Sequence, residues 1–107
     1  MKLGLIISGT NAETNWNALR LANLAIETGD DVKIFLVGEG VEYEKNSIPK
    51  YDVEALAQKF VTSPKAEIMA CGTCLKSRSQ DGTDTCPIST LKDFYGMIAW
   101  AEKLVTF

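Results

Sequence analysis

The sequence predicts one α/β domain in three layers, an α/β/α sandwich around a mostly parallel sheet of about four to five strands. Three observations carry this expectation. Four apolar runs, at residues 3–7, 32–37, 66–70 and 104–107, are too short for independent helices and read as buried strands. The intervals between them carry apolar residues at helical spacing, and parallel neighbours need such crossover segments. The chain of 107 residues is long enough for a single core and no more, so residues 1–107 are expected to form one domain.

The first run ends in Ser8-Gly9-Thr10-Asn11, a turn signal after a buried strand. The stretch "TNWNALRLANLAIETG" follows, with Trp16, Leu19, Ala22 and Ile26 on one helical face, Thr14 or Asn15 as the expected N-cap and Gly29 where a C-terminal cap belongs. The second strand stops at Gly38-Glu39-Gly40. The polar connector from there to Tyr51 contains Pro49 and reads as an irregular loop. From Asp52, residues Val53, Leu56, Ala57, Phe60 and Val61 match the i, i+3, i+4, i+7, i+8 template of an amphipathic helix.

The third strand runs directly into Cys71-Gly72, where a further helix is expected to begin near Gly72 or Thr73. Residues 79–87, with Gly82 and alternating Asp and Thr, read as the most mobile segment. A last helix is expected from Ser89 or Thr90, with Leu91, Phe94, Tyr95, Ile98 and Ala101 facing inward and Gly96 as its weak interior point.

Composition narrows the functional classes. With 46% apolar and 23% charged residues the chain is that of an ordinary globular protein. A net charge of −3 with no basic block gives no footprint for direct nucleic-acid binding. The opening "MKLGLIISG" is too short for a signal-peptide core or a membrane span, so a cytoplasmic protein without membrane contact is expected. Three cysteines, an odd number, argue for reduced thiols rather than a disulfide framework. Neither "SGTNAE" nor "GEGVEY" has the lysine and hydroxyl of a phosphate loop, and no cofactor is expected.

The chemistry concentrates in "ACGTCLKSRS", residues 70–79. In open parallel sheets the reaction site lies beyond the carboxyl ends of the strands, an edge that here collects residues 8–11, 38–40 and 71–74. Cys71 at a strand end and a helix start would meet free N–H groups, which favour an anion and would lower its pKa from about 8.5. Lys76 and Arg78 are the nearest cations, and Arg78 could equally bind an anionic donor or a partner's carboxylate.

Each cysteine also has a plainer reading. Cys71 could be a small buried apolar residue; Cys74 could pack in the first turn or act as a resolving thiol; Cys86, before Pro87, could swing toward the pair or sit in its loop. Three chemistries compete. A zinc site would use Cys71, Cys74 and Cys86 with Asp81, Asp84 or a water, since the chain has no histidine. A thioredoxin-like dithiol would use the C-x-x-C, but that fold places it after an early strand beside a cis-proline. Sulfur transfer needs only one reactive thiol.

The strand followed by "CGTCLKSR", the opening "KLGLIISGTNAETNWNALRLANLAIETGDDVKIFLVGEGV" and the closing "ISTLKDFYGMIAWAEKLVTF" together resemble the DsrE/DsrF-like family, whose members include sulfur-relay subunits. The resemblance spans nearly the whole chain. It implies a DsrE-like sandwich and a sulfurtransferase-like carrier in which Cys71 holds a persulfide, with Arg78 at the family's basic position and Cys74 as an additional thiol. It also implies sulfur-donor and sulfur-acceptor proteins as partners, and a homo-oligomer, commonly a trimer or hexamer. Ser79 stands where members with this signature often have glycine. Members without the cysteine serve as assembly subunits, so a dithiol redox or sensor protein and a non-catalytic subunit are the alternatives.

Overall fold

A computed structural model describes residues 1–107. In chain order the elements are β1 (Lys2–Ile7), α1 (Ala12–Thr28), β2 (Asp31–Leu36), a one-turn 3-10 helix (Gly38–Glu42), α2 (Val53–Phe60), β3 (Ala66–Cys71), α3 (Gly72–Ser77), β4 (Ile88–Ser89), α4 (Leu91–Trp100) and β5 (Lys103–Thr106). The five strands form one sheet in the order β4-β3-β2-β1-β5, and every pairing is parallel. The four strands expected from apolar runs are all present. The fifth, β4, is only two residues long and has no periodicity to read; it exists because Ile88 and Ser89 pair with Ala70 and Cys71.

Strand order and handedness together explain the layers. From β1 to β4 the chain moves one way across the sheet, then returns past β1 to place β5 on the far edge. Right-handed crossovers therefore put α1 and α2 on one face and α4 on the other. The α1–α2 side holds the main core of 19 buried residues, in which Leu5, Ile7, Val32, Ile34, Ile68 and Ala70 meet Leu19, Ala22, Ala57 and Phe60. The α4 side buries only Phe35, Met69 and Met97, with Phe94 stacked on Phe35 at 4.3 Å. Nearly all the hydrophobic stabilisation thus sits on one side of the sheet.

Local caps follow the sequence closely, with one shift. Asp52 caps α2 by accepting the Ala55 N–H, and Gly29 closes α1 in the left-handed conformation at φ 99°. The N-cap of α1 is Asn11, not Thr14 or Asn15, because the Asn11 side chain accepts the Thr14 N–H and starts the helix one turn earlier. Asn15 is instead buried, and its amide donates to the Gly9 carbonyl at 3.0 Å. Thr90 begins α4 with a reciprocal capping box: Asp93 N–H donates to the Thr90 hydroxyl, and Thr90 N–H donates to the Asp93 carboxylate.

Two other expectations are corrected. The connector after β2 is not wholly irregular, since the 3-10 helix and an isolated bridge between Ile48 and Tyr51 order it and bury Val41 and Tyr43. In α4 the inward face is Phe94 and Met97, whereas Leu91 is 79% and Tyr95 74% exposed, and Ile98 is also exposed. The residues 91, 95 and 98 do lie on one helical stripe; tertiary packing turned that stripe to solvent, because Phe94 and Met97 fit the gap over Phe35 and Met69.

The asymmetry has a measurable consequence. Phe60→Ala empties a fully enclosed site between α2 and the sheet and should cost about 3–5 kcal/mol in chemical denaturation. Leu91→Ala, on the outer face of α4, should change stability by no more than about 0.5 kcal/mol. Comparable losses for both would place Leu91 in the core and contradict the exposure of this face.

Candidate functional site at the end of the third strand

Alternation along β3 sends Ile68 and Ala70 into the α1–α2 core and Met69 to the α4 side, while Cys71 at the strand end touches both cores. Cys71 is the last residue of the strand, paired in register with Ser89, and the chain enters α3 at the next residue. Its conformation is that of an N-cap (φ −57°, ψ 115°), and its Sγ accepts the Cys74 N–H at 3.4 Å. One turn later the Cys74 Sγ lies 2.7 Å from the Cys71 Sγ, in direct sulfur–sulfur contact. Leu75, buried in the core, fixes the rotation of α3 that brings the two sulfurs together.

A third group completes the pair. The Gly38 N–H, from the turn after β2, donates to the Cys74 Sγ at 3.2 Å. Gly38 has φ 58°, a conformation that favours glycine and aims its amide at the neighbouring strand end. Both sulfurs therefore face backbone N–H groups, Cys71 from its own helix start and Cys74 from a segment 36 residues away. Of the three turns expected at this edge, the first reaches it through Ser8, whose backbone packs against Gly38 and Gly40, while its polar side chains turn elsewhere: Asn11 caps α1 and the Ser8 hydroxyl donates to the Phe107 carbonyl.

The basic position behaves differently from its expected role. Arg78 Nη1 donates to the Cys74 carbonyl at 3.1 Å, and its Nε lies 3.8 Å from Glu42 Oε1. The guanidinium thus ties the end of α3 to the 3-10 helix that carries Gly38, and its polar contacts go to neither sulfur. Lys76 instead borders the cleft of about 550 Å³ over the two thiols, whose other wall is Ile88, Ser89, Thr90 and Leu91. That wall was missed in the sequence, where nothing before β4 forms marks these residues as neighbours of Cys71.

The expected depression of the Cys71 pKa is overturned. Burial comes first and pushes its thiol upward, and the Cys74 thiol pressed against it acts in the same direction. The N–H groups of Cys74 and Thr73 pull downward but do not win. The helix start and the second sulfur in its first turn are present as expected; what spacing could not reveal is the burial of Cys71 and the direct contact between the two sulfurs.

Cys86 does not swing to the pair. It is buried in the core, its N–H donates to the Thr83 hydroxyl, and its thiol is pushed up to about 12 by burial and by Glu44. It borders a separate hollow of about 210 Å³ that also includes Asp81. No three His, Cys, Asp or Glu side chains come together as metal ligands, so Cys71, Cys74, Cys86, Asp81 and Asp84 do not assemble the zinc set considered above. The thioredoxin-like arrangement is not formed either, since the chain has no cis peptide bond and the dithiol follows the third strand.

Comparison with known proteins agrees with this architecture. The model of the DsrE/DsrF-like family matches residues 1–107. An uncharacterized protein of Methanopyrus kandleri is 31% identical over 103 residues, covering 89% of this chain and 83% of its own length. Another, from Methanocaldococcus jannaschii, is 30% identical, with all of both chains covered. The crystal structure of the ychN protein from E. coli superposes with a TM-score of 0.77 over the full length of both chains at 21% identity, a likeness of fold.

The pKa balance at Cys71 gives a direct test. Cys74→Ser removes the neighbouring thiol's upward push and leaves a hydroxyl that can donate to a Cys71 thiolate. The pH midpoint for alkylation of Cys71 by iodoacetamide should lie above that of a free cysteine in the native protein and move down in the variant. An unchanged or higher midpoint in Cys74→Ser would show that the second thiol does not set the acidity of the first.

Proposed function

The chain belongs to the DsrE/DsrF-like family, a sulfur-relay type at the level of the family, and from that premise we propose that it is a cytoplasmic persulfide carrier in which Cys71 receives the sulfur. The observation that carries the reading is the placement of Cys71: the last residue of β3, at the floor of an open cleft, with its sulfur at a helix start and a second thiol in contact.

The steps follow from that geometry. The Cys71 thiolate attacks the terminal sulfur of a donor persulfide, R–S–SH. A new S–S bond forms, the donor's S–S bond breaks, and R–S⁻ departs with the electron pair. The product is Cys71–S–SH. Burial and the adjacent Cys74 thiol raise the Cys71 pKa, which favours the protonated form of the resting thiol. When Cys71 loses its proton, its sulfur accepts the N–H groups of Cys74 and Thr73, and the neighbouring Cys74 sulfur accepts the Gly38 N–H.

Delivery has two routes. An acceptor thiolate can take the terminal sulfur and regenerate Cys71. Alternatively Cys74 attacks the inner sulfur, giving a Cys71–Cys74 disulfide and releasing HS⁻. The 2.7 Å contact between the two Sγ atoms favours the second route as a built-in release step, and the same contact supports the dithiol redox reading as the alternative function.

Donor and acceptor proteins, and self-association into a trimer or hexamer, are part of this proposal. What supports them is the uncovered apolar side chains Tyr95 and Ile98 on α4 and Leu104 on β5. No helix is long and apolar enough to cross a membrane.

Reduced protein incubated with a persulfide donor and examined by intact mass should gain the mass of sulfur on the Cys71 peptide. Cys71→Ser should abolish the gain, while Cys74→Ser should retain it and prolong its lifetime at least several-fold, because the internal release step is gone. An unmodified Cys71 beside a reversible Cys71–Cys74 disulfide couple would replace the carrier by the redox protein.

A further inference from the structure

The cleft over Cys71 has a shape and polarity of its own, beyond its role as an opening to the thiol. At about 550 Å³ it is the size of a small-molecule site rather than a surface crease. Its floor is the two sulfurs. One wall is apolar and uncovered, formed by Ile88 at 50% and Leu91 at 79% exposure. Lys76 is the only charged residue that borders it. Asp93, the nearest carboxylate in sequence to that wall, is turned back onto the N–H and hydroxyl of Thr90 and does not border the cleft.

These features specify a ligand. A protein-borne sulfur would need only access to Cys71, whereas an apolar wall facing a single cation calls for a molecule with matching halves. We propose that the cleft binds a low-molecular-weight organic sulfur compound, a persulfide or disulfide with a short apolar chain ending in a carboxylate. The chain covers Ile88 and Leu91, the carboxylate pairs with Lys76, and the sulfur reaches Cys71. The inference rests on Cys71 as the sulfur-accepting nucleophile and adds the class of its substrate.

The chemistry balances with no further reactant. With a persulfide R–S–SH the terminal sulfur passes to Cys71 and R–S⁻ leaves, taking a proton from water. With a disulfide R–S–S–R the thiolate forms Cys71–S–S–R as the ligand's S–S bond breaks, and R–S⁻ again carries away the electron pair.

The Cys74→Ser protein isolates this step, because the adduct on Cys71 cannot be resolved internally. Its reaction with dithiodipropionate, which carries carboxylates, and with cystamine, which carries ammonium groups, is followed by mass, each rate being divided by that of the same reagent with free cysteine. The normalised rate should favour dithiodipropionate about tenfold and saturate with concentration, and Lys76→Glu should erase that preference. Leu91→Ser, at an exposed position, should weaken saturation without reversing the charge preference. Equal normalised rates, or a preference untouched by Lys76→Glu, would overturn the proposal.

Labelling of the same protein with inorganic polysulfide separates the two levels of inference. If Cys71 still gains sulfur while the reagents show no preference, the small-molecule site falls and the carrier stands. If Cys71 gains no sulfur from polysulfide, the carrier reading itself fails.

Discussion

The parallel alignment of all five strands is the constraint on which the rest of this structure depends. It sends every strand's carboxyl end to one edge, so that the turn after β2 and the start of α3 meet although 36 residues separate Gly38 from Cys74. Parallel pairing also obliges each connection to cross a face of the sheet, and the right-handed sense of those crossings assigns α1 and α2 to one side and α4 to the other. An antiparallel β2–β3 pair would have put these turns at opposite ends and left Cys74 without its Gly38 donor.

At that edge, local and tertiary effects on Cys71 oppose one another. The helix start supplies N–H groups that favour a thiolate; burial and the adjacent thiol favour the protonated form and prevail. Arg78 acts at one remove. By joining the Cys74 carbonyl to Glu42 it fixes α3 against the 3-10 helix, which sets the distance between the Gly38 amide and the Cys74 sulfur.

The two faces of the sheet divide the labour. The α1–α2 face, with its large enclosed core, holds the strands in register. The α4 face is thin, leaves Leu91, Tyr95 and Ile98 to solvent, and contributes the beginning of α4 as a wall of the thiol cleft. The carboxyl end of β3, with its two thiols, opens into a cleft walled by the start of α4, on the more thinly packed side of the sheet.

The sequence by itself determined four of the five strands and the positions of the main helices, because these depend on near neighbours. Apolar runs marked β1, β2, β3 and β5 to within a residue or so, Gly29 marked a C-terminal cap, and "CGTC" after a strand marked Cys71 as facing a helix start with Cys74 in its first turn. Tertiary structure alone decided the remainder. Which stripe of α4 faces inward was set by the shape over Phe35 and Met69, since Leu91, Tyr95 and Ile98 are as apolar and as regularly spaced as Phe94 and Met97. The two-residue β4, the Gly38 amide on Cys74, the turning of Arg78 to Glu42 and the rise in the Cys71 pKa each depend on groups distant in the chain. Spacing encodes the contacts a residue makes within its own turn of helix or strand; solvent exclusion and charge at a site are summed over whatever the fold brings there.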